Sequence, residues 1–187
     1  MDTFKGYMIP GICFESDYCI CFYRWRESPL VAKQLTELWV IMPDDRRACF
    51  VDRGEGVDLF RKYHDFDEVE ASEIDVEESQ NSLKITVHEK EKEIFQAEIT
   101  IKLTFGNRLV NFLLKRTGGA STFRKGKTET GREFVNKPER IITISDTRAV
   151  FNGNDLGKTV RPRRRIQFGD AGIAAKPIVN YCSQVCG

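Results

Sequence analysis

The sequence predicts a mostly β fold (β-rich α+β): an antiparallel meander closed into a barrel or cone, with a few short helices. Three observations predict it. Phe95, Ala97, Ile99, Ile101, Leu103 and Phe105 alternate with Gln96, Glu98, Thr100, Lys102 and Thr104, the period of a strand with one buried and one wet face. Just upstream, Leu83, Ile85 and Val87 alternate with Lys84, Thr86 and His88, and the charged turn HEKEKE joins the two runs as an antiparallel hairpin. Short strand-like runs separated by turn residues continue along the chain without an internal repeat, the pattern of a barrel or sandwich rather than a parallel sheet.

Taken in order, GICFE and YCICFYRWR read as the first strands. Ser28-Pro29 offers a cap and first position for a short helix, or a loop. LTELWVIMP and RRACFVD form a strand pair around a Pro-Asp-Asp turn. GVDLFRKYH reads as a helix, and Ile74 and Val76, set among acids, as a third strand of the central meander. NRLVNFLLKR reads as a helix with Asn107 as cap and Gly118-Gly119 as stop, although so short an apolar run serves a buried strand equally well. STFRKGKTETGREFV reads as an exposed hairpin, RIITIS and RRRIQF as late strands, and the chain from about 170 as an irregular tail.

Length and composition bound the rest. The 187 residues, 41% apolar and 30% charged, suit one folded domain over 1–187. A net charge of +1 supplies no global attraction to nucleic acid or anionic surfaces. No basic leader with an apolar core precedes the chain, and no run approaches the roughly 18 apolar residues of a membrane span, so a cytoplasmic protein without a membrane partner is expected. The six cysteines sit in strand-like runs or near the end, and reduced thiols are expected in that compartment.

Few residues advertise chemistry. His88 closes a strand and reads as solvated, and His64 stands beside Asp65, Asp67 and Glu68 in what reads as an acidic loop, so no metal site is expected. Cys182 and Cys186 lack a second Cys/His pair nearby. The cluster KTVRPRRR, with Arg161, Arg163, Arg164 and Arg165, could grip phosphate, but no interleaved aromatics offer stacking platforms. No nucleotide-binding loop, nucleophile elbow or HExxH occurs. Glu37 precedes the apolar run Leu38-Trp39-Val40-Ile41, which would carry it into a barrel. Lys115 closes the run Val110–Leu114: desolvated there its amine would gain nucleophilicity, or it snorkels with its head in water.

Several of these segments, in this order, resemble the acetoacetate decarboxylase family. LTELWVIMP-DDRRACFVD is similar to the family's Y-x-E strand and Y-V-D hairpin, with Glu37 on the glutamate and Leu35 in place of the aromatic. A short helix, the hairpin from Ile74 to Phe105, and Arg108–Arg116, similar to P-N-F-x-L-K-x-I-P, follow; the likeness covers about residues 36–120. The resemblance implies a barrel or cone around a small-molecule cavity, and imine chemistry at a lysine pair after the short helix. Here the lysine positions hold Glu68 and Val69, or Asp67 and Glu68 one residue back, and a carboxylate cannot form an imine.

The expected protein therefore binds or acts on a carbonyl compound or organic acid, lyase-like if catalytic, without a cofactor. Glu37 as acid/base and Lys115 as cation form the expected catalytic pair, with Arg24, Arg26, Trp39 and Phe112 as ligand-binding residues. A non-catalytic ligand-binding barrel and an RNA-binding barrel using the 161–165 arginines are the alternatives, and self-association is left open.

Overall fold

The computed structural model describes residues 1–117, 124–162 and 176–187, with the backbone of 167–168 and 171–172. Its elements are β1 (Asp2–Phe14), β2 (Cys19–Glu27), β3 (Leu35–Ile41), β4 (Arg47–Val51), α1 (Gly54–Tyr63), β5 (Glu68–Ala71), β6 (Glu73–Glu78), β7 (Ser82–Glu89), β8 (Lys92–Lys102), α2 (Phe105–Thr117), β9 (Arg124–Lys127), β10 (Glu133–Phe151), β11 (Asn154–Asp155), β12 (Thr159–Val160), β13 (Gln167–Phe168), β14 (Ala171–Gly172) and β15 (Ile178–Cys186). The main sheet runs β5-β4-β3-β2-β1-β15-β10-β8-β7-β6, antiparallel except for β4–β5, which α1 joins in parallel. Its two ends are separated in sequence only by Ser72 yet are not paired, so the barrel is closed except for one seam.

Strand alternation divides the side chains into two layers. Phe22, Leu38, Val40 and Phe50 of the early strands pack with Ile85, Phe95, Ile99 and Ile142 from across the sheet, and so fill the barrel interior. The opposite face of β1–β4 carries Tyr23, Trp25, Trp39, Cys49 and Val51, with Phe60 and Tyr63 of α1 laid over it. Gly56 admits this packing, because a Cβ there would stand 3.1 Å from the Leu35 side chain.

The predicted β3–β4 pair, β6–β7–β8 meander, α1 and the hairpin of β9 and β10 are all present. The Ser28-Pro29 segment is a turn rather than a helix. The supposed tail contains β15, paired with both β1 and β10, which buries Cys182 and Cys186. All six cysteines occupy the layer under α1. Cys13 and Cys19, directly opposite one another on β1 and β2, form a disulfide, which corrects the expectation of six thiols. Cys21, Cys49, Cys182 and Cys186 are buried thiols. Among the described residues no helix is long and apolar enough to cross a membrane.

The largest departure is α2. Thr104 caps it: its hydroxyl accepts the Asn107 N–H at 3.1 Å, and Asn107 Oδ1 accepts the Thr104 N–H at 3.0 Å, a reciprocal cap that puts Asn107 inside the helix. Asn111 then bonds both backbone groups of Ile141, and Asn107 Oδ1 accepts the Thr143 N–H. These side chains complete β10 just where its pairing with β8 ends, at Thr143↔Lys102. The helix is thus docked by asparagines and Leu114, and the apolar residues expected in the core face outward.

Candidate functional site

The structure distributes the six predicted site residues over three places. The first is the layer under α1. Because Leu38 and Val40 take the barrel face, Glu37 and Trp39 take the other, so Glu37 does not point into the barrel. Its carboxylate is buried, with Oε1 accepting the Trp25 indole N–H at 2.8 Å and Oε2 that of Trp39 at 2.5 Å. Burial, and secondarily the Glu37 charge, pushes the Cys49 thiol well up from its ordinary value. The void beside Glu37, lined also by Phe4, Phe60, Tyr63 and His64, measures about 20 Å³, room for one water.

His64 closes this layer. Its ring meets Trp39 edge-on at 4.7 Å, and Nδ1 lies 2.8 Å from Glu129 Oε2. Glu129 sits in the turn between β9 and β10, where Thr130 also donates to the carbonyls of Lys62 and Tyr63 at the end of α1. His64 does lie in a loop with the exposed Asp65 and Asp67, as expected, but its ring is only 6% exposed and ties that hairpin to α1. Nothing local in the sequence signals it, since its partner lies 65 residues away. His88, expected to be solvated, is half-buried with Nδ1 3.8 Å from Asp75.

The second place is the outer surface of α2. Lys115 is exposed there, its amine not enclosed by the apolar run, and Phe112 is 57% exposed. Neither lines the void at Glu37, so the predicted catalytic pair is not brought together. Among the described residues every lysine is exposed except the half-buried Lys84, which pairs with Glu77 at 3.7 Å. Of the positions matched to the imine lysines, Glu68 is exposed on β5 and Val69 packs on the layer under α1.

The third place is the mouth of the barrel, and it collects the predicted arginines. Tyr23 and Trp25 face α1, so Arg24 turns inward, where Nη1 meets Glu78 Oε1 at 3.0 Å and the Val76 carbonyl at 3.5 Å. Tyr7 donates its hydroxyl to the same Glu78 oxygen at 3.0 Å. Burial, then the charge of Glu78 and its hydrogen bond, pushes the Tyr7 phenol far above its ordinary value and keeps it a neutral donor. Gly6 lets β1 run this close, since a Cβ there would collide with the Arg24 carbonyl. Tyr181 stands 5.4 Å from the Tyr7 ring, with Arg140 over its outer side at 5.6 Å. An open hollow of about 280 Å³ borders Tyr7 and Tyr181 and is lined by the cations Lys5 and Arg26 and the acids Glu27 and Glu139.

A larger groove of about 870 Å³ lies along β10 and the 155–159 loop. Its carboxylates Glu15, Asp146 and Asp155 outnumber Arg148 and Lys158, so it does not suit an anion. Arg161 is exposed, and Arg163, Arg164 and Arg165 lie outside the described residues. No cluster of metal-ligating side chains occurs among the described residues.

No family model matches the chain, and no curated protein matches it. Solved structures do. The chain is similar to an acetoacetate decarboxylase from Legionella pneumophila subsp. pneumophila str. Philadelphia 1, at 9% identity over 99% of this chain and 84% of that one, with a TM-score of 0.56. A second acetoacetate decarboxylase structure matches at 8% identity, 99% and 86% coverage and a TM-score of 0.50. The fold is that of acetoacetate decarboxylase, as the order of segments implied.

Proposed function

We propose that this protein binds a small organic acid, its carboxylate held by Arg24 and Arg26 at the barrel mouth, and that it does so without an imine-forming lysine. The observation that carries this reading is the inward-facing Arg24 beside a neutral Tyr7 donor, next to a hollow that Arg26 and Lys5 line. A guanidinium matches a carboxylate in two parallel hydrogen bonds, and a phenol adds a third without adding charge. Glu78 pairs with that guanidinium, so an incoming acid exchanges with it. The shared fold supports a keto acid among the candidates, as acetoacetate gives the similar proteins their name.

The lysine placements support binding rather than imine chemistry, because a nucleophilic amine needs an enclosed setting that lowers its charge. Glu37 fits a positioning role better than acid–base work: both its oxygens are engaged by indoles, and the adjoining void holds no more than a water. The reading is tested by calorimetric titration with acetate, pyruvate and acetoacetate, each beside a neutral amide of similar size. Saturable binding of the acids, lost in the Arg24→Gln/Arg26→Gln double variant, supports it. Equal binding of acids and amides, or acid binding unchanged in that variant, overturns it.

A further inference from the structure

Away from the barrel mouth, the surface feature with the least internal explanation is α2. A helix laid on a sheet normally turns its apolar stripe inward. Here Phe105, Leu109, Phe112 and Leu113, at spacings i, i+4, i+7 and i+8, are 83%, 54%, 57% and 49% exposed. The stretch 101–127, IKLTFGNRLVNFLLKRTGGASTFRKGK, carries seven cations and no carboxylate. All seven cations are exposed, and none forms an ion pair among the described residues.

The complement is on the same chain. The stretch 65–79, DFDEVEASEIDVEES, carries eight carboxylates and no cation, and every one of the eight is exposed. It supplies the two unpaired edges of the seam, β5 and β6, with the half-buried apolar residues Val69, Ile74 and Val76 between the acids. Within one chain, Asp75, Glu77 and Glu78 meet His88, Lys84 and Arg24, while Glu68, Glu70 and Glu73 form no ion pair among the described residues, Glu68 acting only at a distance on the exposed Arg46. The basic helix packs on β10 instead, so the two surfaces do not neutralise each other within one copy.

We propose that α2 and β9 of one copy dock on the acidic β5–β6 seam of a second copy. The contact is head-to-tail: each chain offers one donor and one acceptor surface, so assembly continues until a ring closes. Opposite charges set the orientation, and Phe105, Leu109 and Phe112 lie over the seam, whose own Val69, Ile74 and Val76 are turned to the cores behind it. The edges of β5 and β6, otherwise templates for indiscriminate pairing, are covered in the process. This proposal does not rest on ligand binding and uses neither Arg24 nor Arg26.

The test uses no ligand and reads mass: light scattering on the full chain at low and high salt, with two variants at exposed positions. Phe105→Ser/Leu109→Ser removes the helix surface, and Glu68→Lys/Glu70→Lys reverses the seam, with circular dichroism confirming that both fold. The wild type is expected to be oligomeric at low salt and to dissociate as salt rises. Each variant alone is expected to be monomeric, with self-association weakened at least about tenfold, as loss of a buried apolar anchor or a charge pair gives. An equimolar mixture is expected to form a one-to-one dimer and nothing larger, since one intact surface of each kind remains. A monomeric wild type, or a seam variant that still dimerises through α2 alone, overturns the proposal. So does a monomeric wild type that binds phosphatidylserine vesicles through α2, which would assign the helix to an anionic lipid surface.

Discussion

Arg24 of β2 reaches Glu78 of β6 at 3.0 Å, joining a strand from the middle of the sheet to the strand at its far end. With Tyr7 on the same carboxylate oxygen, the pair places a guanidinium, a carboxylate and a neutral phenol together at the mouth of the barrel. The guanidinium is 23% exposed and Glu78 36%, so the pair is close enough to water for a ligand carboxylate to replace Glu78.

That competition has a measurable sign. Glu78→Gln removes the resident anion and is expected to tighten carboxylate binding several-fold, whereas Arg24→Gln is expected to weaken it about 10–100-fold, the loss of one charged hydrogen-bonding group. Calorimetric titration with pyruvate reads both.

The Glu37 carboxylate is the acceptor for two buried indoles, and its loss orphans both donors. Glu37→Leu is expected to destabilise the fold by about 2–4 kcal/mol. Glu37→Gln is expected to cost about 1–2 kcal/mol, because the amide keeps one acceptor but turns a donor toward the other indole. Urea unfolding measures both, and carboxylate affinity is expected to be unchanged in Glu37→Gln.

Asp2 holds the start of β1 to the end of α1, accepting hydrogen bonds from Lys62 at 2.8 Å and from Tyr63. Burial alone would raise its pKa, but the bonds from Lys62 and Tyr63 outweigh it and hold Asp2 below its ordinary 3.8. A carboxylate with a depressed folded pKa contributes stability above its unfolded pKa and loses it as pH falls through the folded value. Asp2→Asn is therefore expected to lower Tm by about 2–4 °C at neutral pH. The gap from wild type should shrink only at pH below about 4. A gap independent of pH down to acid unfolding would contradict this.

The disulfide gives a simple count. Alkylation of the unfolded, unreduced protein is expected to modify four cysteines, and six after reduction. Six without reduction would show that Cys13 and Cys19 remain thiols.

Much of the fold was legible where alternation is strict. The β7–β8 hairpin and the β3–β4 pair follow from period-two patterns that admit one burial solution each. Glu37 was legible as a residue of interest because a lone acid beside Leu38, Trp39, Val40 and Ile41 must be buried with partners. Its face was not, because a fully buried strand shows no polar side by which to orient it. Lys115 and Phe112 misled for a related reason: their apolar run signals burial, while Asn107 and Asn111, docked on a backbone edge of β10, reverse the helix. His64–Glu129 and Cys13–Cys19 depend on tertiary pairing or strand register that no local spacing encodes. The seemingly irregular tail hid β15, whose side chains alternate burial without alternating polarity, as at Asn180 and Gln184.

If no lysine acts as a nucleophile, incubation with acetoacetate and borohydride is expected to leave the intact mass unchanged. A covalent gain mapped to one lysine would restore imine chemistry and remove the arginine site from the centre of the account.

The most direct measurement is a nuclear magnetic resonance titration that follows the arginine Nε–H signals as pyruvate is added. Saturable shifts at Arg24 and Arg26, absent when pyruvamide replaces the acid, are the predicted result. Binding that leaves both signals unmoved would contradict the claim that this barrel holds an organic acid through its arginines.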